Sequence, residues 1–309
     1  MPGKKIFLAR IQGFCSGVAT AIEIVERALK KYGTPLYVYH EIVHNTFVVK
    51  SFKDRGVVFV ERIDDVPEGG RIIFSAHGIS PEIMEQARNR KLKLIDATCP
   101  LVKKVHLEAV RFSKEGRQVI LIGHKGHQEI IGTSGYVKPE LLHLVQNKND
   151  VKDLSIASDT PVAYVTQTTL SVNDASETIL ALKKKFKDIK GPMKEDICYA
   201  TQNRQEAVKE LALYSDVILI CGSPNSSNSN RLRETGARAG VPAYIIDHSE
   251  ELNPEWLTDN NVIGISSGAS VPGYVVDELV KRIQDLFPGT GVELIGDSTE
   301  PSTFPLPEI

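Results

Sequence analysis

Residues 92–105 read LKLIDATCPLVKKV, and the order of residue types in this stretch decides the fold. Leu92–Ile95 is a short apolar run of strand length. Cys99 follows, within DATCPLV, where a loop turns into a helix. Val102, Val105, Ala109 and Phe112 then recur at helical spacing. The stretch is therefore a buried strand, a cysteine at the turn, and an amphipathic helix. The same grammar appears at GFCSGV (13–18) and DICYAT (196–201), so Cys15, Cys99 and Cys198 each stand before a helix. They lie 84 and 99 residues apart, too far for a local metal clip, and can converge only through the fold.

Working outward, short apolar runs alternate with amphipathic segments along most of the chain. Ile6–Ala9, Leu36–Val38, Val57–Val60, Ile72–Phe74, Val119–Ile122, Val162–Val165, Val217–Ile220, Ala243–Ile246 and Val262–Ile265 read as buried strands. Residues 18–29 and 203–214 carry helical apolar stripes like that of 101–112. Strand–helix alternation of this kind implies α/β architecture with mainly parallel sheets, whose sites form in loops at the carboxyl ends of strands.

The chain also repeats. Two polar loops follow each cysteine: HEIVHN (40–45) and SAHGIS (75–80), GHKGHQE (123–129) and TQTTLS (166–171), GSPNSSNSN (222–230) and SSGAS (266–270). From cysteine to first loop the spacing is 29 residues to His44, 28 to His127 and 30 to Asn228. To the second loop it is 62 to His77, 69 to Thr168 and 72 to Ser270. This predicts one α/β unit used three times, over 1–97, 98–195 and 196–286, a threefold arrangement that would supply three thiolates to one central cofactor. Residues 287–309, rich in Pro, Ser, Thr and Gly, read as a tail that could fold back on one unit.

A chain of 309 residues holds two or three such units. The formal net charge is −2, without a basic block, which disfavours nucleic acid. No apolar run spans a membrane and the start does not read as a secretory signal. Four cysteines in that context suit a reducing, cytoplasmic setting, where thiols serve metals or chemistry.

The helix after each cysteine aims its amino end at the sulfur, favouring thiolate by roughly 0.3–1 kcal/mol. Three thiolates without an obvious fourth suit a [4Fe–4S] cluster with three Cys ligands and one open iron. Cys221, at the end of an apolar strand, reads as a small core residue. His44, His77 and His127 occupy matching loop slots, and Ser226, Ser227, Asn228 and Ser270 fill the rest, a donor set suited to a diphosphate. Glu129, two residues after His127 in an otherwise cation-and-donor loop, is a candidate proton donor, with Thr168 placed to relay that proton or orient the substrate. A glycine-rich nucleotide loop is absent. A zinc hydrolase built on the Cys and His residues lacks HExxH or CxxC spacing. An iron–sulfur sensor without a diphosphate site is a third reading.

Taken together, GFCSGV, HEIVHN, SAHG, DATCPLV, GHKGHQE, TQTTLS, DICYAT, NSSNSNRL and GAS closely resemble the LytB/IspH family of 4-hydroxy-3-methylbut-2-enyl diphosphate reductases, from about residue 6 to 285. The resemblance implies a trefoil around an iron–sulfur cluster and the last step of the non-mevalonate isoprenoid pathway. It implies Cys15, Cys99 and Cys198 as cluster ligands. It implies His44, His77, His127, Thr168, Ser226, Ser227, Asn228 and Ser270 as substrate contacts, and Glu129 as the proton-delivering carboxylate. It implies a ferredoxin, a flavodoxin or a similar small electron donor. Ser16, Ala19, Thr20 and Gln128 depart from the family's commoner residues. Gln128 replaces a frequent proline beside Glu129 and is expected to leave that loop freer.

Overall fold

The computed structural model describes residues 3–297, 300 and 304–307. The chain opens with β1 (Lys5–Ala9), α1 (Ser16–Tyr32), β2 (Leu36–Tyr39), α2 (Thr46–Asp54), β3 (Val57–Val60), β4 (Arg71–Phe74), α3 (Pro81–Asn89), β5 (Lys93–Asp96) and α4 (Pro100–Lys114). It continues through β6 (Gln118–Ile122), α5 (Gln128–Ser134), β7 (Leu142–Val145), α6 (Asp150–Asp153), β8 (Val162–Thr166), α7 (Val172–Lys185), β9 (Ile189–Lys190) and α8 (Tyr199–Ala212). It closes with β10 (Val217–Cys221), α9 (Ser227–Arg238), β11 (Ala243–Ile246), β12 (Val262–Ser267), α10 (Gly273–Leu286) and β13 (Gly291–Ile295).

These strands form three sheets, and every strand pair is parallel, as the strand–helix alternation implies. The strand orders are β3-β2-β4-β5, β7-β6-β8-β9 and β11-β10-β12-β1, the last extended by β13 beyond β1. Apart from that addition the three orders are one topology. In each, the first strand is flanked by an edge strand and a third strand, and a fourth strand leads into a cysteine.

Strand pairing cuts the chain differently from boundaries near 97 and 195. The last third supplies only three strands before α10 ends, and the amino-terminal β1 pairs with β12 to supply the fourth. Residues 291–295 of the expected tail are β13, paired with β1. The chain separates into two compact units. One holds the five-stranded sheet together with residues 44–48, and the other holds both four-stranded sheets.

The cysteine helices form as their sequences dictate. In α4, Cys99 is the N-cap, Pro100 opens the first turn, and Arg111 and Lys114 sit in the last turn opposite the helix dipole. Its stripe of Val102, Val105, Ala109 and Phe112 is buried with Val119, Leu121, Ala163 and Val165 of β6 and β8. Thus α4 follows β5 of one sheet but covers the next. In α8, Val208 and Leu211 are buried likewise with Ile218 and Ile220 of β10. No helix of the described residues is long and apolar enough to cross a membrane.

Candidate active site

Each cysteine lies just outside a sheet, and its backbone is fixed the same way. The Cys99 N–H donates to the Ala76 carbonyl (3.0 Å), that of Cys198 to Thr168 (3.1 Å), and that of Cys15 to Ala269 (3.0 Å). Each acceptor belongs to the second polar loop of the sheet whose fourth strand the cysteine follows. A repeat therefore runs first loop, second loop, cysteine, and the sequence reading that starts it at the cysteine is one step out of phase. Cys15, Cys99 and Cys198 are half-buried and form no disulfide. Cys221 is buried, and desolvation pushes its thiol up to about 12, so it stays protonated as a core residue.

In the unit with the two four-stranded sheets, the structure brings together His77, His127, Glu129 and Thr168. The first loop of the middle sheet ends at His127, the N-cap of α5, whose Nδ1 accepts from the Glu129 N–H at 3.1 Å. In the neutral ring that bond leaves Nε2 as the donor. Helix α5 lies tightly on the SAHGIS loop through two glycines. A Cβ on Gly132 would stand 3.2 Å from the Gly78 carbonyl oxygen, and one on Gly135 only 2.4 Å from Ser80 Cβ. That close approach sets the His77 and His127 rings edge to face, with centroids 5.8 Å apart. Gly78 itself takes φ +77°, a left-handed conformation that suits glycine.

Glu129 is 2% exposed. Its Oε1 accepts from the Thr168 N–H at 2.6 Å, and its Oε2 is 2.8 Å from the Thr168 hydroxyl. Desolvation lifts its carboxyl to about 7, although both Thr168 bonds work in the other direction. Near neutral pH this group can hold or release a proton. Gln128 begins α5, and Thr168 holds both oxygens of the neighbouring Glu129 carboxyl.

Two neighbours were not singled out in the sequence. Asp196 is buried, accepts from the Thr166 N–H and pairs with Lys104 at 3.0 Å. Burial raises its carboxyl pKa despite that lysine. His106 stacks on Tyr136 with ring centroids 4.2 Å apart, and desolvation depresses its imidazole to about 4. His106 lies on α4, and Asp196 lies in the loop that leads to Cys198. The "DIC" before Cys198 was the sole signal for Asp196, and His106 occupies a helical face position with no local cue.

In the other unit, Ser226 caps α9 by accepting from the Ser229 N–H at 3.3 Å. Ser227 opens the helix, and Asn228 Oδ1 accepts from the Ala269 N–H at 2.9 Å. Ser270 is buried and its hydroxyl donates to the His44 carbonyl at 2.9 Å. Asp247 joins this group by accepting from Ser223 (2.7 Å) and Thr46 (2.9 Å), which anchors the segment after His44. The start of α9 therefore offers backbone N–H groups and small hydroxyls to an anion. Cys15, His44, Ser226, Ser227, Asn228 and Ser270 thus belong to one unit. His77, Cys99, His127, Glu129, Thr168 and Cys198 belong to the other.

Among the described residues, no three His, Cys, Asp or Glu side chains are close enough to ligate a single ion. A cluster asks for something else, one thiolate on each of several irons. The cysteines fit that chemistry: each is partly accessible and at a helix amino end.

Parallel three-sheet architecture, cysteines heading helices and a buried, protonatable carboxyl together fit an α/β enzyme. The LytB protein family model matches residues 6–284. This chain belongs to that family. It is 50% identical over 308 residues to a 4-hydroxy-3-methylbut-2-enyl diphosphate reductase of Azoarcus sp. (strain BH72), covering 100% of this chain and 98% of the relative. A 4-hydroxy-3-methylbut-2-enyl diphosphate reductase 1 of Rhodopseudomonas palustris is 52% identical over 302 residues, covering 98% of each. A solved E-1-hydroxy-2-methyl-but-2-enyl-4-diphosphate reductase from Plasmodium falciparum superposes with a TM-score of 0.95 at 39% identity. It covers 99% of this chain and 96% of that one.

Proposed function

We propose that this chain is an iron–sulfur reductase that converts 4-hydroxy-3-methylbut-2-enyl diphosphate to isopentenyl and dimethylallyl diphosphates. The observation that carries the reading is Glu129, a buried carboxyl gripped through both oxygens by Thr168, in a chain whose relatives bear the name of that reductase. Cys15, Cys99 and Cys198 would hold a [4Fe–4S] cluster. When bound, such a cluster supplies electrons one at a time and an iron without a protein ligand as a Lewis acid.

The chain's own residues do the rest. His44, His77, His127, Ser226, Ser227, Asn228 and Ser270 bind the diphosphate, whose oxygens need several donors at once. Thr168 holds the Glu129 carboxyl with Oε2 toward its own hydroxyl, so a proton on that oxygen is kept in place until needed. As the allylic C–O bond breaks, Glu129 gives its proton to the departing hydroxyl, which leaves as water. Two electrons and a second proton form a C–H bond at either end of the allyl unit, which gives two isomers. Burial of Glu129 and Thr168 keeps bulk water from the proton. The electrons come from a ferredoxin, a flavodoxin or a similar small carrier, and the setting is the cytoplasm.

The test is anaerobic incubation of the purified chain with the alcohol diphosphate and a small-molecule reductant. Isopentenyl and dimethylallyl diphosphates are the expected products. Release of inorganic phosphate without either of them would refute the reading in favour of a hydrolase.

A further inference from the structure

We propose that Arg204 is a positioning residue for the Cys15 thiolate, and that Glu300 of the carboxyl-terminal segment locks it there. Arg204 lies in α8, is 0% exposed, and is among the largest fully buried side chains of the protein. Its Nη2 donates to the Gly13 carbonyl at 2.9 Å, two residues before Cys15. Its Nη1 donates to the Ala200 carbonyl at 3.2 Å, two residues after Cys198, and also to the Glu300 carboxylate. One planar guanidinium thus ties together the loop before one cysteine, the first turn of the helix behind another, and the carboxyl-terminal segment.

A buried ion pair is weak evidence of a stabilising role, because desolvation of both charges offsets their attraction. What an arginine offers here is its fixed fork of donors, which reaches three chain segments at set angles, and a lysine cannot reproduce that. The loop it grips needs such a grip. Gly13 turns at φ +76°, and its N–H donates to Ser267 Oγ at 3.1 Å while the Cys15 N–H donates to the Ala269 carbonyl at 3.0 Å. Both of those bonds hold amides. Arg204 adds a bond on the Gly13 carbonyl and so fixes the peptide plane that leads into Phe14 and Cys15. The corresponding stretch before Cys99 is held differently, with the Asp96 carboxylate accepting the Thr98 N–H at 2.9 Å. Cys99 is therefore an internal control.

The inference rests on the reading of Cys15 as a cluster ligand, and two readouts separate the two claims. In the full chain purified before cluster assembly, alkylation of Cys15 and Cys99 by iodoacetamide is followed by mass spectrometry. Arg204→Met and Arg204→Lys should each raise the Cys15 rate roughly tenfold, the scale of one lost hydrogen bond to a charged donor. The Cys99 rate should stay unchanged, and Glu300→Gln should act in the same direction more weakly. After reconstitution, the arginine variants should lose iron to a chelator faster than the wild type. Equal increases at both cysteines would mean general loosening and would overturn the proposal, as would no increase at either. If the arginine variants do not fold, Glu300→Gln decides, since that side chain is 19% exposed and polar in both forms. A wild type that binds no iron would overturn the ligand reading while leaving the clamp standing.

Discussion

Replacing Glu129 with glutamine probes charge and proton supply at one atom. Glutamine keeps the shape, its oxygen can accept the Thr168 N–H, and its amide can donate to the Thr168 hydroxyl. It mimics the protonated acid already held between those two groups. The folded carboxyl titrates at about 7 against an ordinary value of 4.5, with desolvation as the main cause. Below 4.5 both folded and unfolded chains carry the proton. Between 4.5 and 7 the unfolded chain releases it and the folded one keeps it, so wild-type stability falls as pH rises. Above 7 the loss is complete, at up to about 3 kcal/mol by 1.36 kcal/mol per pKa unit. Glu129→Gln should therefore match the wild type near pH 4.5 and be the more stable protein at pH 8. The difference in melting temperature at pH 8 should be several degrees by calorimetry. Turnover should fall roughly 10²–10⁴-fold, the range for a lost acid catalyst, while diphosphate binding persists. The alkaline limb of wild-type turnover, near pH 7, should disappear in the residual activity. Turnover within tenfold of wild type, or a variant less stable at pH 8, would refute the reasoning.

Three further outcomes follow from the same geometry. His106, depressed to about 4 from 6.5, should destabilise the fold as pH drops from 6.5 to 4, by up to about 3 kcal/mol, because only the unfolded chain gains the proton there. Denaturant titrations of His106→Phe against wild type should show that acid-side loss removed. Gly78→Ala meets both a left-handed φ of +77° and His106 Cε1 at 2.7 Å, so it should cost roughly 1–3 kcal/mol and weaken diphosphate binding through the neighbouring His77, read by calorimetry. Cys221→Ala should leave bound iron unchanged, since that thiol is buried and protonated, whereas Cys99→Ser should abolish stable cluster binding; colorimetric iron assays separate the two.

Much of this molecule is legible in the amino-acid sequence. Apolar runs such as Val119–Ile122 and Val217–Ile220 became central strands because they are buried on both faces, which leaves a continuous signal. The strands that escaped notice are edges. Leu142–Val145 is interrupted by a histidine, Ile189–Lys190 has only two residues, and Gly291–Ile295 is largely exposed with a glutamate at its centre. The spacing of cysteines and loops was real, but its phase was not, because β1 joins β12 across almost the whole chain and nothing local records that pairing. The named site residues sit in turns or at helix starts, where polar residues stand out. Arg204, Asp196 and His106 do not stand out. Arg204 and His106 lie within helices whose apolar stripe was the visible feature, and their burial is set by partners distant in sequence.

The most direct test of the central claim is iron and acid-labile sulfide per chain in anaerobically purified protein, measured for the wild type and for each cysteine replaced by serine. The account predicts about four of each in the wild type, with loss on changing Cys15, Cys99 or Cys198 and retention on changing Cys221. A colourless wild type with stoichiometric zinc, or a cluster that depends on Cys221, would contradict it.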